Sequence, residues 1–132
     1  MNKILFVCSG NVGRSQMAEG YYNNLTNSKK AMSAGIDLKT PSKYPHPVPE
    51  VIAVMKEEGI DVSSNIVKLV TKEMVDEAEK IIVMCNKINC PIFLQESKKA
   101  VFWSIEDPFK TSTDNFRKIR YQIKVKVLDL LK

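Results

Sequence analysis

Apolar and polar positions along this 132-residue chain follow two periods in turn. Short apolar runs fall at Lys3 to Cys8, Ala31 to Ala34, Lys80 to Met84 and Ala100 to Trp103. Runs this short suit strands of a parallel sheet, buried on both faces, better than independent helices. Between them the apolar residues recur at helical spacing. Ser15 to Leu25 puts Met17, Ala18, Tyr21 and Leu25 on one side, with Ser15 as N-cap. Val48 to Glu58 turns Val51, Val54 and Met55 inward and ends at Gly59 as a C-cap. Thr71 to Glu79 is a short helix capped by Thr71. Thr113 to Leu131 is the longest, capped by Ser112 or Thr113, with a core stripe of Phe116, Ile119, Ile123, Val127 and Leu130. Lys39 to Pro49 holds four prolines and reads as loop, which makes its His46 a surface residue rather than a base.

Strand and helix in alternation predict a single α/β domain over residues 1–132: a four-stranded parallel sheet with helices on both faces. No repeat, low-complexity tract or linker divides it. Ligands of such sheets bind beyond the carboxyl ends of the strands. Cys8, Cys85 and the Ser104-to-Asp107 segment each follow a predicted strand, so the topology carries all three to one rim.

Composition narrows the setting. Hydrophobic residues make up 44% and charged residues 27%, ordinary for a globular protein. No apolar run is long enough for a membrane span, and the N-terminal stretch lacks the cleavage site of a signal peptide, so the expected location is cytoplasmic. The net charge of +5 comes from Lys and Arg scattered among acids, densest on the last helix. That is a solvated face rather than a nucleic-acid surface, though its field would draw in small oxyanions. A monomer without membrane or nucleic-acid partners is expected. Three cysteines make neither a disulfide framework nor, without a nearby His, a complete structural zinc site. One nucleophile, Cys8, plus the pair Cys85 and Cys90 fits them better.

The chemistry is concentrated in Cys8-Ser9-Gly10-Asn11-Val12-Gly13-Arg14-Ser15, between the first strand and the first helix. Successive N–H groups of Ser9 to Arg14, at the positive end of a helix, can curl into an anion nest. Gly10 and Gly13 supply conformational freedom, and Asn11 tolerates a left-handed backbone. Arg14 can close the ring with a bidentate fork, and the same positive field favours Cys8 as thiolate. The loop is not a nucleotide-binding one, which needs Lys-Ser or Lys-Thr after its last Gly. Asp107, stiffened by Pro108, is placed to protonate a leaving oxygen.

With Cys-x5-Arg-Ser so near the N-terminus and Gln16-Met17-Ala18-Glu19-Gly20 after it, the chain resembles the low-molecular-weight tyrosine phosphatase superfamily. Within it, the likeness is stronger to thioredoxin-coupled arsenate reductases, through Ser33-Ala34-Gly35, Gly59 to Ser63, Cys85 to Pro91, Glu106-Asp107-Pro108 and the last helix. The resemblance implies Cys8 as nucleophile, Ser15 bonded to its thiolate, Arg14 and the loop amides as anion holders, and Asp107 as general acid. It further implies Cys85 and Cys90 as a disulfide relay fed with electrons by thioredoxin, with no tightly bound cofactor. The reductases also hold a potassium ion beside the cradle, and the matching positions are Asn11, Glu19, Ser33 and Asp61.

Three departures bear on the branch. Only four residues separate Cys85 from Cys90, fewer than in those reductases. Gly13 stands where many relatives carry another cysteine. Phe109 is followed by Lys110, whereas tyrosine phosphatases of this kind carry two aromatics there to grip a phenyl ring, which favours a small inorganic anion. Two enzymes therefore stay open. One is an arsenate reductase using all three cysteines. The other is a tyrosine or small-molecule phosphatase using Cys8, Arg14 and Asp107 through a phospho-cysteine. A non-catalytic oxyanion-binding or redox-sensing module is a third reading, and the Asp107-Pro108 pair argues against it.

Overall fold

The computed structural model describes residues 3–132. Strands β1 (Ile4–Cys8), β2 (Ala31–Gly35), β3 (Lys80–Val83) and β4 (Ala100–Phe102) form one parallel sheet in the order β2-β1-β3-β4. The register sets Cys8 beside Gly35, Val7 beside Val83, and Val83 beside Phe102, so all four carboxyl ends share a rim. Side chains alternate across a strand, and β1 divides accordingly. Ile4, Phe6 and Cys8 enter one core; Leu5 and Val7 enter the other.

The first core is roofed by α1 (Arg14–Thr26), α3 (Pro49–Lys56) and α6 (Thr113–Leu130), through Met17, Val51, Val54, Phe116 and Ile123. The second is covered by α4 (Lys72–Glu77) and α5 (Ile92–Gln95), through Val75 and Leu94. Helices thus lie on both faces of the parallel sheet, as the alternation predicts. Among the described residues no helix is long and apolar enough to cross a membrane.

Local signals set several ends. The Thr71 and Ser112 hydroxyls accept from the N–H groups of Met74 and Asn115 as N-caps. Gly59 (φ +74°) closes α3 as expected: its N–H bonds the Lys56 carbonyl while that of Ile60 reaches the Met55 carbonyl. The same arrangement closes α1 at Asn27 (φ +49°).

Other expectations are corrected. Ser15 is not an N-cap. Gly13 holds that position with no side-chain cap, because the chain enters α1 from the anion loop and Ser15 is turned back toward Cys8. Leu25 is 42% exposed, since α1 overhangs the core by its last turn, and Leu130 is only half-buried. The proline-rich loop contains a turn of helix, α2 (Thr40–Lys43), with Pro41 in its first turn, where a missing N–H costs nothing. β4 stops at Phe102 and is an exposed edge strand.

One close approach positions the site. A Cβ on Gly35 would lie 2.9 Å from the Gly10 carbonyl carbon and 3.0 Å from the Asn11 nitrogen. The anion loop therefore rests directly on the end of β2, and nothing larger than glycine fits beneath it. The neighbouring segment is fastened to the same point, with Gly35 N–H on the Lys68 carbonyl and Val70 N–H on the Gly35 carbonyl, both at 2.8 Å.

Candidate active site

Cys8 ends β1 at the rim, only 2% exposed. Its Sγ accepts the Asn11 backbone N–H at 3.3 Å and lies 3.0 Å from Ser15 Oγ. Ser15 Oγ itself accepts from Asn11 Nδ2 at 2.7 Å, which leaves the hydroxyl proton free to point at the sulfur. Asn11 takes the left-handed backbone foreseen for it (φ +60°) and is fully buried. Its Oδ1 accepts from Gln16 Nε2 and from the Lys68 N–H, so the loop is braced from behind.

Arg14 is 5% exposed and fixed at the other end of the loop. Its Nη1 donates to the carbonyls of Met84, just past β3, and Ile105, past β4. Its Nη2 reaches Ser9 Oγ at 3.4 Å and stands 3.6 Å from Asp107 Oδ2. Asp107 is exposed, and its Oδ1 accepts the Phe109 N–H at 3.0 Å, a turn that holds the carboxylate over the rim. A guanidinium held on two carbonyls keeps its remaining N–H groups for an anion.

Two openings meet at this point. A cavity of about 340 Å³ lies over the loop from Cys8 to Arg14, walled by Lys39, Lys43, Tyr44 and Phe109. A second, of about 540 Å³, is lined by Cys85, Asn86, Lys87, Asn89 and Trp103. Ser9, Arg14 and Asp107 face both. Sequence could not place Tyr44 or Trp103. Tyr44 crosses Phe109 edge-on at 5.8 Å in the first cavity and supplies a second aromatic that the Phe109-Lys110 pair lacks. Trp103 packs on Phe6 and borders the second. His46 lies at the surface, its Nδ1 2.8 Å from the Asn65 carbonyl.

Cys85 lies two residues past the end of β3 and is half-buried; Cys90 is 5% exposed and lies in the second core. All three cysteines are free thiols. Cys85 and Cys90 are joined by a 3₁₀ turn, Lys87–Asn89, and Gln95 Nε2 holds the Cys90 carbonyl at 2.8 Å. Burial pushes the Cys85 thiol well above the ordinary thiol range, and the neighbouring Cys90 and Cys8 push it further while Arg14 opposes them. Burial also raises the Cys90 thiol, against a hydrogen bond from Cys85. Burial first, with the neighbouring sulfurs adding to it, thus keeps Cys85 protonated and poorly nucleophilic. Removing the Cys8 charge in Cys8→Ser should lower the pH midpoint of Cys85 alkylation, though not to the ordinary thiol value, since burial and Cys90 remain. Iodoacetamide labelling across pH, resolved by mass spectrometry, measures it; an unmoved midpoint would show the two sulfurs uncoupled.

Of the residues expected to hold potassium, Asn11, Glu19 and Ser33 share one hydrogen-bonded cluster, and Asp61 bonds within its own loop. Asp61 is exposed and turned on its own loop, its Oδ1 taken by the Ser63 N–H and hydroxyl. Asn11 Oδ1 already accepts two N–H groups, which fill its lone pairs. Glu19 Oε1 accepts from Ser33 Oγ at 2.8 Å and Oε2 from Asn65 Nδ2 at 3.3 Å. Gln16 and Asn65 are members of this cluster that the sequence reading missed; nothing in their spacing singles them out.

A thiol at the floor of a backbone nest, an arginine closing the nest and a carboxylate above it define an enzyme that attacks tetrahedral oxyanions through sulfur. Residues 3–132 match the low molecular weight phosphotyrosine protein phosphatase family, and the chain belongs to this family of enzymes. It is 33% identical over 128 residues to arsenate reductase 2 of Staphylococcus haemolyticus, covering 94% of this chain and 92% of that one. Among solved structures it is similar to an arsenate reductase in the phosphate binding state, with TM-score 0.83, 32% identity and coverage of 98% and 96%. Vibrio vulnificus Wzb in complex with benzylphosphonate shares the fold, with TM-score 0.86, 24% identity and the same coverage.

Proposed function

We propose that this protein is a cytoplasmic arsenate reductase that draws its electrons from thioredoxin. The observation that carries the reading is the position of Cys85. It borders the opening that shares Ser9, Arg14 and Asp107 with the Cys8 cradle, and Cys90 lies beside it. The curated relatives named arsenate reductase support the same reading.

The steps follow from these residues. The Cys8 thiolate attacks As(V), and Asp107 protonates the departing oxygen, which leaves as water. The loop N–H groups and Arg14 hold the remaining oxygens. With the Cys8 charge spent on the S–As bond, one cause of the high Cys85 proton affinity is gone. Cys85 then attacks Cys8 Sγ, the S–As electron pair stays on arsenic, and arsenite leaves as As(III). Cys90 attacks Cys85 Sγ, frees the Cys8 thiolate and completes a Cys85–Cys90 disulfide, which a thioredoxin dithiol reduces. Cys90 is buried, so the 3₁₀ turn must loosen before that last exchange.

A phosphatase is the second reading, favoured by the Tyr44 and Phe109 rings beside Asp107. NADPH consumption with arsenate, thioredoxin and thioredoxin reductase decides between them. Arsenate-dependent turnover supports the reductase. Its absence, together with aryl phosphate hydrolysis that disappears in Cys8→Ser, makes the protein a phosphatase.

A further inference from the structure

The turn between Cys85 and Cys90 is held largely by its own bonds. The Asn89 and Cys90 N–H groups donate to the Asn86 and Lys87 carbonyls at 3.1 and 3.0 Å, and the Cys90 thiol reaches the Asn86 carbonyl at 3.6 Å. Asn86 to Asn89 are exposed, Ile88 by 84%, so the turn buries little besides Cys90. The Lys87 ammonium lies 5.8 Å from the centre of the Phe102 ring, a weak contact at an exposed site. Segments with so few buried contacts open locally at small cost.

Gln95 fastens this turn from outside. It follows Leu94, which is fully buried and anchors α5 in the second core. Its Nε2 donates to the Cys90 carbonyl at 2.8 Å and to the Ile88 carbonyl at 3.4 Å. Both partners can only accept, which fixes the amide with its nitrogen toward the turn. Among the described residues, no other side chain from outside residues 86–90 hydrogen-bonds to this segment. One of the two carbonyls belongs to the relay thiol itself, so Cys90 is pinned in the core through its own backbone.

We propose that Gln95 is a latch on the redox turn. Its side-chain amide keeps Cys90 in the second core, and breaking its two bonds frees the turn to carry Cys90 Sγ to Cys85. Gln95 is a positioning residue: it acts through the Cys90 backbone and touches no substrate. With only four residues between the two thiols, few bonds hold the turn shut, and one side chain carries a sizeable share of them. The part this plays in turnover rests on the reductase reading, while the latch itself is measured without arsenate.

The test follows Cys90 as the sole cysteine, in a chain carrying Cys8→Ser and Cys85→Ser. Iodoacetamide should alkylate it roughly 2- to 12-fold faster once Gln95→Met is added, the change that losing one hydrogen bond makes in an opening equilibrium. Methionine keeps the length of the side chain and loses the donor. Both rates should be flat in urea below the unfolding transition, as local opening requires. Gln95→Lys restores a donor, as Lys99 does toward the carbonyls that close α4, and should bring the rate back toward native. With Cys85 restored, diamide takes two hydrogens from the pair as the Cys85–Cys90 disulfide forms, and at saturating diamide this closure should also be faster in Gln95→Met. If Gln95→Met does not fold, Gln95→Glu, isosteric but with acceptors only, gives the same comparison. Unchanged Cys90 alkylation would overturn the proposal. So would a gain that grows with urea, which reports a general loss of stability. Slower disulfide closure would overturn it too, since Gln95 would then align Cys90 rather than restrain it. Both gains in a protein without arsenate turnover would sink the reductase reading and leave the latch standing.

Discussion

Cys85→Ser is expected to cut multiple-turnover arsenate reduction by roughly a thousandfold or more, as removal of an essential nucleophile does. Its aryl phosphate hydrolysis should stay within about twofold of the native rate, because the phosphatase route needs only Cys8, Arg14 and Asp107. Serine is nearly isosteric with cysteine, and Cys85 is half-buried outside the cradle, so the fold and the anion loop should be undisturbed. Oxygen cannot take the place of sulfur in a disulfide, and the thiol that remains, Cys90, is buried in the second core, so Cys8 would lack its resolving partner. A single-turnover experiment should accordingly find no arsenite formed, since water can only return the arsenic as arsenate. The measurements are the coupled NADPH rate and the release of an aryl phenolate, on one preparation. Equal loss of both would mean that Cys85 supports the cradle rather than a relay, and retention of both would leave it without a catalytic part.

Arg14→Lys should be costly in either chemistry. A fall of roughly 10²–10³ in kcat/KM for both arsenate and aryl phosphate is expected, comparable to loss of one oxyanion-hole donor elsewhere. The size follows from what the guanidinium touches. It donates to the Met84 and Ile105 carbonyls, to Ser9 Oγ, and faces Asp107 at 3.6 Å. An ammonium is a point charge with three donors and cannot keep these contacts and also present a planar fork to an oxyanion. Charge alone would therefore not rescue the site. Phosphate inhibition gives the second readout, since the inhibition constant should weaken along with kcat/KM. A loss below tenfold would show that the loop amides carry the anion by themselves.

The sheet and the nucleophile loop were legible because each rests on local signals. Strand period, the Cys-x5-Arg spacing and the caps at Thr71 and Ser112 depend on neighbours in sequence. The support behind the loop was not legible. Lys68 binds Asn11 with its backbone N–H, a contact that leaves no mark on residue type, and Asn65 belongs to a loop with no periodic pattern. Ser15 shows the limit of a local rule. As the first hydroxyl before an apolar stripe it reads as a cap, yet a sulfur seven residues back draws its side chain away. Asp61 was matched by its place in a motif, and the Asx-type turn with Ser63, which occupies one of its carboxylate oxygens, is a three-dimensional fact. The aromatic wall was half seen, because Tyr44 comes from the proline-rich loop and meets Phe109 only across the rim.

Arg14 stands between the two openings like a party wall, with Ser9 and Asp107 exposed to both sides. For a reductase this gives the oxidant and the reductant separate doors. An oxyanion can enter and arsenite depart over the loop while a dithiol docks over Cys85, and neither has to vacate for the other. Phosphate lodged in the cradle would block arsenate without shutting out the electron donor. Occupancy of one opening then does not decide access to the other, and idle enzyme facing a crowd of cellular phosphate keeps its redox entrance open.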